Sequence, residues 1–576
     1  MSLSVVRRRS LAPSPQFDSS LHPVLQRIYA ARGVESGRDL ELTLQQLLPV
    51  GTLTGVDAAA ELLCRHRDQQ GLVLIVGDFD ADGATSTALL VRALRGWGFG
   101  AVDFLVPNRF EYGYGLTPEI VALAATRRPA LIVTVDNGIS SIAGVAAARA
   151  AGIDVLITDH HLAGAALPDA NVIVNPNAPG CRFGSRALAG VGVAFYVAVA
   201  LRRVLQARGQ LSSDALAAAE LLDLVALGTV ADVVPFDVNN RILVAQGLAR
   251  IRAGRCVPGI IALLEVARRS HSTAVAADLG FAVAPRLNAA GRLTDMSIGI
   301  RCLLSEQLEQ ARAAARELDE LNTQRRQIEA RMQAEALAAI RVLREPGSGI
   351  QRAGVCLYHD AWHQGVVGLV ASRVKERLRR PVIAFAQAGD ATLRGSARSI
   401  AGVHVRDVLD RIAVGQPDLI QKFGGHAMAA GLTLESRHLD RFAQAFDAAC
   451  AQALGQLGSP DVIETDGALE AHELALPLAQ ALRAGGPWGP GFPEPLFDGV
   501  FRIQSARVVG ERHLKLGVSA PEGRGQFDAI AFNFIDPSEQ LAPLPAGAAH
   551  LVYRLAANDY QGESRLQFVV EHLLPA

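Results

Sequence analysis

Three short apolar runs organise the first part of the chain: Leu72-Val73-Leu74-Ile75-Val76, Leu131-Ile132-Val133-Thr134-Val135 and Val155-Leu156-Ile157-Thr158. They lack polar alternation, and Ala- and Leu-rich stretches of helical texture separate them. That pattern predicts buried strands of a parallel sheet. Each run ends in acid: Gly77-Asp78-Phe79-Asp80-Ala81-Asp82-Gly83, Asp136-Asn137-Gly138 and Asp159-His160-His161. The alternation continues from Gly51 to about residue 250, which predicts a sheet covered on both faces. Within it a helical stretch, Asp214 to Gly228, runs into Thr229-Val230-Ala231-Asp232, placing another acid at the end of an element.

The texture changes after Leu304. Leu308, Ala311, Ala315, Leu318, Leu321, Ile328 and Met332 recur at helical spacing, with charged residues between them and no Gly or Pro before Pro346-Gly347. This predicts one long amphipathic helix, about 60 Å if continuous. Arg325 interrupts its apolar stripe, so a strut between domains is favoured over a coiled-coil dimer. A second α/β unit follows, with Val355-Cys356-Leu357-Tyr358 and Val382-Ile383-Ala384-Phe385 as strands. The last stretch is β-rich and suits a small OB-like barrel. The expected fold is α/β: two α/β domains joined by a long helix, then a C-terminal OB-like β-barrel. The expected divisions are a helical segment over 1–50, a first α/β domain over 51–304, the helix over 305–345, a second α/β domain over 346–458 and the barrel over 459–576.

Composition narrows this picture. The formal net charge is −1, so any surface for a polyanion must be local. Cys64, Cys181, Cys256, Cys302, Cys356 and Cys450 include no C-x-x-C pair, which argues against a zinc ribbon and a disulfide scaffold and fits a reducing cytosol. Arg7-Arg8-Arg9 is followed by no apolar region of a signal peptide. The apolar stretch Ala187 to Leu201 is broken by Gly190 and Gly192 and reads as a buried helix rather than a membrane span. The absence of a G-x-x-x-x-G-K-[ST] sequence excludes a P-loop nucleotidase.

Open α/β sheets bind ligands beyond the carboxyl ends of their strands. The acids and imidazoles named above therefore gather at one edge, where carboxylates repel one another unless cations hold them. Any one of these Asp residues alone is more often a helix cap or turn former; their conjunction points to a metal site. In an extended segment Asp80 and Asp82 share a side. Thr85-Ser86-Thr87 would then open a helix whose N-terminus favours phosphate. Asp136 is placed to bridge two ions, His160 supplies a nitrogen and Asp232 closes the shell. Two ions about 3.5–4 Å apart clamp the attacking and leaving oxygens of an in-line displacement. The ligands suit Mg²⁺ or Mn²⁺, the imidazole tilting the choice toward Mn²⁺.

These four acidic motifs resemble those of the DHH phosphoesterase superfamily. Gly424-Gly425-His426-Ala427-Met428-Ala429-Ala430-Gly431 is similar to the glycine-rich motif of its associated C-terminal domain. Pro107 to Gly115, Pro285 to Arg292, Gly395 to Ser399 and Pro487 to Pro495 extend the resemblance to the bacterial single-strand-specific 5′→3′ DNA exonucleases of that superfamily. The resemblance implies a metal-dependent exonuclease of DNA recombination and repair. It implies one metal on Asp80 and Asp136, and another on Asp82, Asp136, His160 and Asp232. His161 would face the scissile phosphate. Many relatives carry a histidine where this chain has Val76, so Asp78 or water would complete the first metal.

By the same resemblance Arg109, Ser396 and Arg398 contact a 5′-phosphate, and Arg286, Asn288 and Arg292 the nearby backbone. Tyr112 and Tyr114 either stack on a base or pack their loop. Gly424, Gly425 and His426 form either an anion nest or a plain turn before a helix. Arg373, Lys375, Arg377, Arg379 and Arg380 line a groove or form a solvated face. Lys515, Arg554, Tyr560 and Arg565 suggest strand binding by the barrel. The expected partner is single-stranded DNA with a 5′ end, threaded between the two α/β domains. A helicase and a single-strand-binding protein are implied by resemblance, and no membrane is expected. A monomer in the bacterial cytoplasm suffices, because one chain can enclose the channel. The rival functions are a DHH phosphoesterase of short oligonucleotides, cyclic dinucleotides or pyrophosphate, and a scaffold that has lost its metals.

Overall fold

The computed structural model describes all residues except 1–4, 11–16, 109–110, 113–114, 344–351, 456–461, 511, 521–524, 536–544 and 561–562. The chain divides into two compact units. One comprises Met1–Leu287, Met296–Arg316 and Pro460–Ala576, the other Asn288–Asp295 and Glu317–Ser459.

The first unit opens with a strand, β1 (Val5–Arg8), and then builds the parallel sheet expected from the apolar runs. Its strands are β2 (Val73–Gly77), β3 (Val102–Leu105), β4 (Leu131–Val135), β5 (Asp154–Thr158) and β6 (Val172–Val174), in the order β3-β2-β4-β5-β6. Every residue of β2 and β4 is buried, which is why neither strand shows polar alternation. Leu74 and Val76 pack with Leu116, Ile120, Val145 and Ile157. The chain leaves β2 for β3 on one side and reaches β4 on the other. The carboxyl ends of β2 and β4 thus flank the topological switch point, where a crevice opens in sheets of this kind.

Two further helices border that crevice. Gly190–Ala207 holds the apolar stretch, and by length and composition it would cross a membrane, but 67% of it is buried inside the protein. Leu222–Ala231 ends at Asp232, its C-cap.

In the second unit, β7 (Val355–Tyr358), β8 (Val382–Gln387), β9 (Thr392–Arg398), β10 (Lys422–Gly425) and β11 (Ala429–Glu435) form a sheet in the order β10-β11-β9-β8-β7. Only the β7–β8 pair is parallel. Phe385, Phe442 and Phe446 anchor one core of this unit, and Val366, Val370, Val374 and Met332 another. Met332 comes from the long helix, Leu308–Leu343, of 36 residues. Arg325, which breaks its apolar stripe, bonds Glu329 and Asn322 on the same helix.

The C-terminal strands belong to the first unit. After β12 (Val462–Thr465) come β13 (Phe497–Val509), β14 (His513–Ser519), β15 (Gln526–Ala531), β16 (Gly547–Tyr560) and β17 (Glu563–Pro575), closed into a barrel in the order β13-β14-β15-β17-β16. Tyr553 and Phe568 stack in its interior, and Phe501 meets both edge-on. Residues 1–50 include the helix Pro23–Ala31, and they also supply β1, which pairs in parallel with β12. That strand is four residues long and its partner lies 457 positions away, so no local pattern announces it. Arg32, the C-cap of that helix, makes a fork to buried Asp466, at 2.8 and 3.0 Å, which fixes the N-terminal segment to the start of the barrel region.

Candidate metal centre

The site grows from three strand ends and two helix ends. After β2 the chain turns at once into the helix Ala81–Gly96, with Asp80 as its N-cap accepting from the Gly83 amide at 3.0 Å. The segment is therefore not extended, as the sequence suggested, and the helix opens at Ala81 rather than at Thr85. Asp82 lies in its first turn, where an anion is favoured by the helix dipole. The cap role and a place in the acidic cluster coexist at Asp80, because its two carboxylate oxygens can serve different partners.

Asp82 is buried and accepts from the Gly190 and Val191 amides, at 2.6 and 2.9 Å. These are the first amides of the helix Gly190–Ala207, which points its N-terminus at the crevice. A side chain at Gly190 would collide with Asp136, its Cβ lying 2.6 Å from that residue's Cβ. At Gly228 a Cβ would stand 2.8 Å from Asp82 Oδ1 and 2.2 Å from Thr85 Oγ1. Both glycines are there because backbone must come this close to carboxylates.

Asp136 follows β4 with φ of 61°, in the left-handed region that Asp tolerates better than most residues. Its neighbour Asn137 ties the turn down, donating to Val76 O at 3.2 Å and Val135 O at 2.9 Å. Asp159 after β5 is also buried. It accepts from the amides of Ile139, His160 and His161, and faces His161 Nδ1 at 2.8 Å. Asp159 therefore orients the two histidines, and among the described residues it joins none of the groups able to hold an ion. Asn175 and Asn177 clamp the same loop, donating to the carbonyls of His161 at 2.9 Å and His160 at 2.6 Å.

The result is three overlapping groups whose ligand atoms lie within 4.8 Å of one another: Asp78, Asp80 and Asp136; Asp82, His160 and Asp232; and Asp136, His160 and His161. His160 Nε2 stands 3.1 Å from Asp136 Oδ1 and 3.4 Å from Asp232 Oδ2. Asp232 Oδ2 is buried and accepts no hydrogen bond among the described residues. Burial, and then the neighbouring Asp80, push the Asp82 carboxyl up to about 7. Burial and the surrounding acids raise Asp136 and Asp232 as well. Burial opposes ionisation of Asp159 too, yet the bond from His161 and the amides hold it below the usual carboxylate range. His161 is held above its ordinary value: burial works against its charge, and Asp159 more than compensates. A crowd of buried acids that resist ionisation, with an imidazole among them and an unsatisfied oxygen, is the donor set that divalent cations fit.

The expected polynucleotide contacts separate into groups. Arg109 and Tyr114 lie outside the described residues. Tyr112 packs against the Leu116–Ile120 core, consistent with the packing alternative. Arg286 belongs to the first unit, and its guanidinium donates to Ala282 O at 2.5 Å. Asn288, Arg292, Ser396 and Arg398 belong to the second unit. There Arg398 donates to Ser396 Oγ at 2.9 Å, and both lie beside Gly368, where a Cβ would stand 2.8 Å from Arg398 Nη2 and 2.9 Å from Ser396 Oγ. Arg292 donates to Gly365 O at 3.2 Å, two residues before the helix Val367–Leu378 begins. Gly424 and Gly425 lie in β10 and run into a hairpin with β11, so the motif does not precede a helix. The His426 amide donates to Ala429 O at 2.7 Å across that hairpin and is not available to a phosphate nest.

Among the remaining basic groups, Arg373 pairs with Glu329 and Glu376, and Lys515, Arg554 and Arg565 pair with acids of the barrel region. That makes them part of solvated ion pairs rather than unopposed charge.

Comparison with known proteins agrees with this geometry. Residues 72–229 match the model of the DHH family, N-terminal domain; residues 351–452 match the DHHA1 domain and 465–572 the RecJ OB domain. The single-stranded-DNA-specific exonuclease RecJ of Salmonella typhimurium is 52% identical over 99% of each chain. The crystal structure of RecJ from Thermus thermophilus in complex with Mn²⁺ superposes with a TM-score of 0.78 at 30% identity, over 97% of this chain and 76% of that one. The same protein in complex with Mg²⁺ gives 0.73 at 28% identity, over 97% and 75%. With half of its residues shared along its whole length, the chain belongs to the RecJ family of DHH proteins.

Proposed function

We propose that this chain is a metal-dependent exonuclease that removes nucleotides from the 5′ end of single-stranded DNA, serving recombination and repair in the bacterial cytoplasm. The observation that carries the reading is the convergence of Asp78, Asp80, Asp82, Asp136, His160 and Asp232 at the sheet's switch point. Asp80 and Asp136 would hold one divalent cation, with Asp78 in the position to complete it. Asp82, Asp136, His160 and Asp232 would hold the second. Val76 packs in the apolar core, and Asp78 stands in the group where a further ligand is wanted. When bound, two such cations supply Lewis-acid charge and activate water for attack on a phosphodiester. The oxygen-rich donors accept Mg²⁺ or Mn²⁺, and the imidazole favours Mn²⁺.

The chain's own residues do the rest. The His161 ring is fixed by Asp159, whose carboxylate favours the charged imidazole, so it can offer positive charge to the phosphate as negative charge develops. The helix N-terminus at Gly190 holds Asp82 in place. Arg398 with Ser396 would receive the 5′-phosphate in the second unit, since arginine forks suit terminal phosphates, and Arg292 and Asn288 of the same unit would contact the nearby backbone. Catalysis then belongs to residues 51–304, strand recognition to 346–458, and further strand contact to the barrel over 459–576. A helicase and a single-strand-binding protein would supply the substrate, and the chain would act as a monomer.

Digestion of single strands labelled at either end, with and without a 5′-phosphate, tests this. Loss of label from the 5′ end first, dependent on Mn²⁺ or Mg²⁺, is expected. Faster cleavage of a dinucleotide than of a long strand would instead favour a phosphoesterase of short substrates.

A further inference from the structure

The crevice is acidic inside, but apolar side chains stand exposed around it. Leu162 follows His161 directly and is 62% exposed. Val233 follows Asp232 directly, is 66% exposed, and has φ of 62°, unusual for a β-branched residue. Phe281 is 85% exposed, more than any other large hydrophobic residue among those described. It sits in the π-helix Leu279–Val283, a rare geometry found mostly at functional sites. That π-helix lies against the helix that presents Asp232: a Cβ on Gly280 would stand 3.2 Å from Val230 Cγ1, two residues before Asp232. All of these groups belong to the first unit.

An aromatic ring left in water has lost the burial that would stabilise it. Neither the barrel core nor the sheet core accepts it. The π-turn widens the helix by one residue, so the ring is turned outward at Phe281 while Leu279 and Val283 on either side of it are buried. Five residues later, about one π-turn, comes Arg286, whose guanidinium donates to Ala282 O within that same turn. A rare turn packed on the Asp232 helix thus carries an exposed aromatic face, with the Arg286 guanidinium anchored on the same turn. Flat apolar rings beside a phosphodiester site suit one occupant, a nucleobase, because every base offers a π-face whatever its sequence.

We propose that Phe281 is a stacking platform for a nucleobase of the substrate strand, so that the strand is positioned by a base as well as by its phosphates. This rests on the exonuclease reading above and extends it to a residue that sets the strand's register over the metal centre. Phe281 would be a positioning residue rather than a catalytic one.

The test uses the full chain with Mn²⁺ and a 5′-phosphorylated single strand carrying one abasic nucleotide, moved stepwise from the 5′ end. In the wild type one abasic position should raise KM by about tenfold, the loss expected for one stacked base. Phe281→Ala should raise KM on the intact strand by a similar factor and erase that positional dependence. Phe281→Trp should restore both. Hydrolysis of bis(p-nitrophenyl) phosphate, which has no base, should stay at the wild-type rate in Phe281→Ala, separating positioning from damage to the fold. A wild type indifferent to every abasic position, or a Phe281→Ala variant with an unchanged KM, would overturn the proposal. If the wild type cuts the small ester but no single strand, the exonuclease reading fails instead, and the two failures are distinguishable.

Discussion

The acidic crevice of the first unit and the Ser396–Arg398 edge of the second are built by opposite rules. In the crevice Asp78, Asp82, Asp136 and Asp159 are buried, and the groups are held from outside: Asp82 by helix amides, Asp159 by three amides and His161, the histidine loop by Asn175 and Asn177. At the second edge the polar residues lie along a strand beside a glycine-opened helix, and Arg398 is braced by Ser396. Chemistry on a phosphodiester tolerates little positional error, so its ligands are over-determined. The grip on a strand end proposed for the second edge tolerates more, because a long guanidinium can adjust.

Substitutions sharpen the contrast. The largest effect is expected for Asp136→Ala, which removes a residue shared by two of the three ligand groups. Cleavage should fall to background while strand affinity, measured by fluorescence anisotropy, survives. Asp159→Asn touches no metal but releases His161 from its orienting carboxylate, and should lower kcat by about 10- to 100-fold with little change in KM. Arg398→Ala should do the reverse, raising KM by about tenfold for a lost charge-assisted bond. That rise should vanish on strands without a 5′-phosphate. If Asp159→Asn changed KM and Arg398→Ala changed kcat, the division of labour between the two regions would be wrong.

A smaller effect follows from Asp82, raised by burial from 3.8 to about 7. Between those values the folded protein holds a proton that the unfolded chain has lost, so metal-free stability falls as pH rises through that window. A cation takes the proton's place. The rise in Tm on adding Mn²⁺ should therefore be greater at pH 8 than at pH 5, by differential scanning fluorimetry. The pH dependence should be smaller in Asp82→Asn, with Asp136 and Asp232 carrying what remains.

Much of the crevice was legible in the sequence, because strand ends followed by acid are a local pattern and the parallel sheet brings such ends together. The barrel and the long helix were legible for the same reason, as periodic runs. What stayed hidden was non-local or conformational. Gly190 and Gly228 look like ordinary helix glycines until the carboxylates they make room for are seen. Asp159 belongs to the same triplet as His160 and His161, and nothing in one dimension says that it orients rather than ligates. The sequence Asn175-Pro176-Asn177 after β6 is a local signal of the loop whose side chains clamp the histidines. Asp80 and Asp82 were expected on an extended segment, yet the helix begins between them, since capping by Asp80 satisfies an amide that would otherwise be unpaired. The hairpin at Gly424 and Gly425 depends on pairing with residues 430 and 431, a choice that the glycines alone leave open.

The central claim is that six residues at one sheet edge hold a pair of catalytic cations. Anomalous scattering at the manganese edge, from crystals soaked in Mn²⁺, tests it most directly. Two peaks should appear, one among Asp78, Asp80 and Asp136 and one among Asp82, Asp136, His160 and Asp232, and both should vanish in Asp136→Ala. Peaks elsewhere on the protein, or none in the crevice at saturating Mn²⁺, would contradict it.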